Sequence, residues 1–185
     1  MLGLSEVSYV DESLARFSMQ DFKKGFVPFR VRSYLPANQR PKIPAEIERM
    51  RGIPYASAVE SLMYAMLCTM PDICFAIGMV SRYQSDPGEE HWIVVKHIFK
   101  YLRRTRDYML VFQDESLVPI GYTDSDFQSD RESRKSTSGY VFTLGGGAVS
   151  WRCVKQSSIA DSTMEAKYIA ASEASKEAIG LRIFC

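Results

Sequence analysis

The chain has 185 residues, 46% hydrophobic and 24% charged, a globular composition with room for one ordinary domain or two small ones. Twenty-three basic residues against 22 acidic ones leave a formal net charge of +1, so only local clustering can argue for a nucleic-acid partner. No apolar run approaches the ~18 residues of a membrane span, and Met1–Ser5 is followed by Glu6, Asp11 and Glu12 rather than by an apolar core. The expectation is therefore a soluble chain with no signal peptide and no membrane partner, intracellular, in cytoplasm or nucleus. Cys68, Cys74, Cys153 and Cys185 form no C-x-x-C pair and read as reduced thiols.

In chain order, Val7, Val10, Leu14 and Phe17 recur at helical spacing after Ser5 and predict a helix over about residues 6–18. Tyr9-Val10-Asp11-Glu12 lies within it; a polymerase-type aromatic-x-Asp-Asp motif would need a β-hairpin, so this tetrad is a helix start. Between Lys23 and Arg51 periodicity is lost around Pro28, Pro36, Pro41 and Pro44, which reads as an extended, poorly ordered connector. A helix from Tyr55 with small residues Ala56, Ser57, Ala58, Ser61 and Ala65 is followed by one started by Pro71 and running to Tyr83. A third runs from Gly88 to about Arg104, with Trp92, Val95, Phe99 and Leu102 on one stripe.

The remainder reads differently. Strands are expected at Tyr108–Phe112, at Val118–Asp124 after a turn at Asp114-Glu115-Ser116, and around Tyr140–Leu144. Gly145-Gly146-Gly147 then links a hairpin to Ala148–Cys153, and a final helix starts at Ser162.

Three constellations bear on chemistry. Asp124 ends the β-branched strand, as a turn former or as a metal ligand, with Asp126 on the same face if the strand continues. Glu165 completes Ser162-x-x-Glu165, a capping box whose carboxylate either returns to the Ser162 amide or faces Asp124. Lys96, Lys100, Arg103 and Arg104 follow one helix face and Arg106 comes next, with no acidic residue between 96 and 106; they form a solvated helix end or a phosphate-contacting stripe. His91 and His97 lie six residues apart, off the spacing of a helical metal pair, and are expected at the surface.

Tyr122-Thr123-Asp124-Ser125-Asp126, Asp130, Arg134-Lys135-Ser136-Thr137-Ser138-Gly139-Tyr140-Val141-Phe142, Gly146–Trp151 and Ala160–Ala166, in that order, resemble the ribonuclease H region of copia-type retrotransposon Pol polyproteins. Upstream, Arg16–Met19, Ile53–Ala58, Leu62–Met66, Arg82-Tyr83-Gln84 and Tyr101–Thr105 resemble the segment joining that family's reverse transcriptase palm to its ribonuclease H. The likeness is weakest between about Arg30 and Pro41.

The resemblance implies an α+β chain: a reverse transcriptase thumb or connection-like helical segment over residues 1–113, then a ribonuclease H-like domain over 117–185, a three-stranded antiparallel sheet with one helix, truncated at its C-terminus. Asp124 and Glu165 correspond to two catalytic, metal-ligating carboxylates. The implied chemistry is Mg²⁺-dependent hydrolysis of the RNA strand of an RNA–DNA hybrid, with the remainder of the Pol polyprotein as a partner. Two further carboxylates are expected beyond Cys185 and the palm aspartates before Met1, so the isolated chain is expected to be inactive in both chemistries. The alternative is a non-catalytic nucleic-acid-binding or interaction fragment, including a co-opted effector, although no Arg-x-Leu-Arg sequence is present. Truncation would leave the first strand of the sheet as an open edge, and so small a unit is expected to be only marginally stable.

Overall fold

The helical spacing around Val10 and Leu14 is realised as α1, Val7–Arg16, in which Val10, Ser13 and Leu14 are buried. The structure, a computed structural model, describes residues 1–29, 43–113, 118–130 and 132–184. The order is β1 (Leu2–Leu4), α1, α2 (Pro44–Arg51), α3 (Tyr55–Cys68), α4 (Cys74–Val80), α5 (Glu89–Thr105), β2 (Leu110–Phe112), β3 (Ile120–Asp126), β4 (Thr137–Leu144), β5 (Gly147–Lys155) and α6 (Thr163–Phe184), with short 3₁₀ turns flanking α4. The class is α+β. Two compact units are present: Ser5–Met109, and Met1–Leu4 together with Leu110–Cys185.

The helical unit is built on one apolar cluster. Val59 and Leu62 of α3, Ile73 and Ile77 around α4, and Val95, Ile98 and Phe99 of α5 are almost wholly removed from water. Each such side chain contributes roughly 1.5–3 kcal/mol of transfer free energy. The small α3 residues Ala58, Ser61 and Ala65 are among those buried, and Tyr9 of α1 comes close enough to donate to the Ser61 carbonyl at 3.1 Å. Tyr55 donates to the Val80 carbonyl at 2.8 Å, tying α3 to the end of α4. Two expectations are corrected here. His91 is fully buried, stacked on Tyr83 at 3.9 Å, with Nδ1 accepting the Gly88 amide at 2.7 Å, so it closes the start of α5. The connector contains α2, which starts at Pro44 because a fixed φ suits the first helical turn; its stretch 30–42 and the turn at 114–116 lie outside the described residues.

In the second unit, the sheet order is β3-β4-β5, antiparallel throughout, with Asp124 opposite Gly139 and Ser125 opposite Ser138. Among the described residues β3 has β4 as its single hydrogen-bonded neighbour, so its other edge is open. β5 pairs Ser138 with Val154 and returns through Gly145 and Gly146, both at positive φ, where glycine is unstrained. Gly121 leaves the space that the Phe142 ring fills: a Cβ there would sit 2.4 Å from that ring. α6 packs on β3 and β4 through Ala166, Ala170 and Ala174, spaced four apart on its buried face. Gly180 of α6 opens onto space in which an added Cβ meets nothing within 4 Å among the described residues.

β1, which no sequence pattern announced, pairs with β2 in the register Leu2–Phe112, Gly3–Val111 and Leu4–Leu110. The Phe112 ring lies against Gly147 of β5, and the Gln113 amide donates to the Gly145 carbonyl at 2.9 Å.

The loop between β3 and β4 is held by Asp130. Its Oδ1 accepts the amides of Glu132 at 3.1 Å and Ser133 at 3.0 Å, and its Oδ2 accepts Lys155 Nζ. Burial pushes this carboxyl up, but the Lys155 hydrogen bond and charge and the two amides outweigh it and hold it at about 2, below the ordinary 3.8. A depressed folded-state value means that the ionised form is favoured on folding, so the stabilisation is complete above about pH 4 and is lost as pH falls toward 2. Acid unfolding of the wild-type chain is therefore expected to steepen between pH 4 and 2. Asp130→Asn should remove that increment in a pH series of urea melts, and an unchanged pH profile would refute the assignment.

Candidate functional site

β3 carries Asp124 in its interior rather than at its end, since the strand continues to Asp126. Residues paired across antiparallel strands share a face. Ser150, opposite Phe142, donates to Glu177 of α6 at 2.7 Å, so Phe142, Tyr140 and Ser138 face the helix, as do their partners Gly121, Thr123 and Ser125. Alternation then puts Tyr122, Asp124 and Asp126 on the other face. Both aspartates are exposed. Asp124 Oδ1 accepts the amide of Ser125 at 2.8 Å.

Glu165 stands in the first turn of α6, also exposed. Its amide donates to Ser162 Oγ at 3.1 Å, and its Oε2 accepts the Asp161 amide at 2.7 Å. This is the reciprocal capping pattern expected from Ser162-x-x-Glu165, except that the carboxylate closes on the Asp161 amide and not on that of Ser162. Glu165 and Asp124 stand at the same end of the unit. The link is Gln156, whose buried Nε2 donates to Ser138 Oγ and to the Ala166 carbonyl, both at 2.9 Å. Ser138 faces Ser125, next to Asp124, and Ala166 follows Glu165. Sequence reasoning missed Gln156, because a lone glutamine after a strand carries no local signature.

Carboxylate oxygens are the donors that Mg²⁺ takes, and one or two of them suffice when water and substrate phosphate complete its octahedron. Asp124 and Glu165 meet that requirement in chemistry and exposure. Among the described residues no three His, Cys, Asp or Glu side chains gather into a metal-binding group.

The basic stripe on α5 is largely engaged within its own unit. Arg103 donates to the Phe22 carbonyl, Lys100 lies 5.4 Å from the Phe22 ring, and Arg104 lies 4.2 Å from that of Phe26. The Gly25 amide donates to the Lys100 carbonyl at 2.8 Å, holding the segment after α1 against α5. Arg106 pairs with Asp11 at 3.0 Å and Asp107 at 3.3 Å. Lys96 has no such partner among the described residues. Arg103 and Arg106 line a cleft of about 360 Å³ with Asp11, Leu14, Gln20, Lys24 and Asp107, a mixed lining of cations and carboxylates. Cation–π contacts leave the charges of Lys100 and Arg104 intact, whereas the carboxylates beside Arg106 offset its charge.

No family model and no solved structure matches the chain. Among curated proteins, the retrovirus-related Pol polyprotein from transposon TNT 1-94 of Nicotiana tabacum is 45% identical over 183 residues, covering 99% of this chain and 14% of that protein. The corresponding polyprotein from transposon RE2 of Arabidopsis thaliana is 30% identical over 177 residues, 95% of this chain and 12% of its own length. The chain belongs to the copia-type retrotransposon Pol family. It thus spans about a seventh or less of the Pol polyproteins it matches. The secreted RxLR effector protein 161 of Plasmopara viticola is 45% identical over 135 residues, 72% of this chain and 95% of that protein. No described helix of this Pol-family chain is long and apolar enough to cross a membrane.

Within this Pol-family unit, Gln156→Ala deletes the two hydrogen bonds that the buried amide donates to Ser138 Oγ and to the Ala166 carbonyl. The expected cost is about 2–3 kcal/mol, read as a lower urea midpoint with faster amide exchange at the start of α6. A change below about 0.5 kcal/mol would show that the bridge is dispensable.

Proposed function

We propose that this chain carries the ribonuclease H portion of a copia-type Pol polyprotein. In this reading Asp124 and Glu165 are metal ligands in Mg²⁺-dependent hydrolysis of the RNA strand of an RNA–DNA hybrid. The observation that carries the reading is the pairing of a strand-borne Asp124 with a helix-borne Glu165 at one end of a β3-β4-β5 sheet backed by α6. When bound, Mg²⁺ would polarise phosphate oxygens and activate water. The chain's own contribution is positional. β3 and the start of α6 bring the two carboxylates to one end of the unit, Asp124 on the sheet face away from α6, and exposure of Asp124, Asp126 and Glu165 keeps that end open to a polyanionic substrate once cations offset the negative charge.

Two carboxylates are fewer ligands than a pair of cations needs. The 185-residue chain alone is therefore expected to leave a labelled RNA–DNA hybrid intact in Mg²⁺ while binding Mg²⁺ weakly, and Asp124→Asn should abolish that binding in a calorimetric titration. Mg²⁺ binding that is indifferent to Asp124→Asn overturns the site.

Lys96, Lys100 and Arg104, which keep their charge, support a second reading in which the helical unit holds the nucleic acid without cutting it. Hybrid affinity should then fall with added salt and at least several-fold with Lys96→Glu; insensitivity to both removes this reading. The likeness to the secreted RxLR effector protein 161 over 135 residues supports a further reading of the chain as an effector-like fragment.

A further inference from the structure

Gln128 and Arg134, in the loop that joins β3 to β4, hold a left-handed backbone without being glycine, at φ of 50° and 55°. Such a conformation is uncommon for long side chains and persists where the surroundings enforce it. Around Arg134 one residue does so. Asp130 Oδ1 accepts the Ser133 amide at 3.0 Å, and the Asp130 amide donates to the Lys135 carbonyl at 3.1 Å, so residue 134 is bracketed on both sides. The neighbouring cations Lys155 and Lys135 are spent on the fold, on Asp130 and on the Ser157 carbonyl at 2.5 Å. Arg134 is exposed and makes no hydrogen bond or ion pair among the described residues. It pairs with none of Asp124, Asp126 and Glu165, the exposed carboxylates at the same end of the unit.

Resting on the reading of this unit as a ribonuclease H portion, we propose that Arg134 binds a backbone phosphate of the RNA–DNA hybrid and so sets where the strand lies relative to Asp124. β3 ends at Asp126, opposite Thr137 where β4 begins, so the loop carrying Arg134 leaves directly from the carboxylate end. An unpaired guanidinium keeps its full charge and a planar fork that fits two phosphate oxygens. A backbone fixed in advance lowers the ordering cost of binding, which a cation on a slack loop would incur in full. Exposed carboxylates alone repel a polyanion; a cation on the adjacent loop counters that repulsion and gives the duplex one fixed point of contact. Such a contact positions the duplex and reads no sequence. The left-handed φ at Arg134 is then kept for the side chain it presents, since glycine would hold the same turn with less strain.

The test is fluorescence anisotropy of a labelled RNA–DNA hybrid with the full chain over a series of NaCl concentrations, with urea midpoints measured in parallel. Glycine suits the left-handed backbone, so Arg134→Gly should keep the wild-type urea midpoint or raise it. Its hybrid affinity should drop roughly ten-fold, and the slope of log affinity against log salt should shrink by about 1. Arg134→Lys keeps the charge and should keep the slope, with a smaller loss of affinity because the fork is gone. Should Arg134→Gly fail to fold, Arg134→Gln removes the charge at similar length and carries the same binding expectation. Wild-type affinity and slope in the folded variant overturn the contact, as does a wild-type chain that binds no hybrid. A loss of affinity that tracks a lower urea midpoint and is not rescued by Arg134→Lys makes the residue structural and overturns it too. The Mg²⁺ titration with Asp124→Asn reads the metal site by itself, so a failed contact and a failed ribonuclease H reading are distinguishable.

Discussion

The buried amide of Gln156 is the constraint on which the sheet unit depends. Ahead of it, its own backbone N–H donates to the Ser136 carbonyl at 2.9 Å, just before β4; its side chain then holds β4 through Ser138 and α6 through Ala166. Apolar burial alone would fasten these elements loosely, since the helix meets the sheet through alanines and Phe142 is the main large apolar side chain buried beneath it. Alanine contacts bring backbones close but bury little area each. A polar group removed from water is costly unless bonded, and that penalty makes the bridge specific: α6 slipped by one residue would leave the glutamine donor unpaired. The register of α6 on the sheet, and with it the height of Glu165 relative to Asp124, follows from Gln156 together with the bond from Ser150 to Glu177.

The helical unit is held together differently. Its aliphatic cluster is large, and the polar contacts at its margin are secondary. Three of them change the meaning of charges that stand out in the sequence. Phe22 and Phe26 lie against Lys100 and Arg104, and Asp11 answers Arg106. A row of cations on a helix is thereby partly a clamp for the segment that follows α1, a use of charge that competes with contact to an external polyanion.

The longer helices were legible because their burial is periodic, and the strands because of their residue types and bounding turns. α1, α3 and α5 each present an apolar stripe, and β3, β4 and β5 are β-branched or aromatic segments bounded by turn residues. What escaped notice is non-local or too short. β1 is three residues long and has meaning only beside β2, more than a hundred residues away in sequence. α2 is obscured by the prolines and charges around it, although Pro44 sits where a helix welcomes it. His91 looks like a surface residue until Tyr83 and Gly88 close over it. At the site, the cap motif was readable in Ser162 and Glu165, but which amide the glutamate would choose was not, because that depends on the path of the chain before the helix. The role of Asp130 is of the same kind: its partner Lys155 is 25 residues on, brought back by the hairpin.

The attachment of β2 has a mechanical consequence. The Phe112 ring rests on Gly147 and the Gln113 amide grips Gly145, so the strand entering this unit is fastened at the β4–β5 turn. Asp124, Asp126 and the start of α6 occupy the opposite end, roughly 15 Å along the strands at about 3.3 Å per residue. Tension on the incoming chain is taken up at the turn, and the ladder of β4 and β5 spreads it before it reaches the carboxylates. A load arriving through β2 is in this way met at the β4–β5 turn, at the end away from the carboxylates.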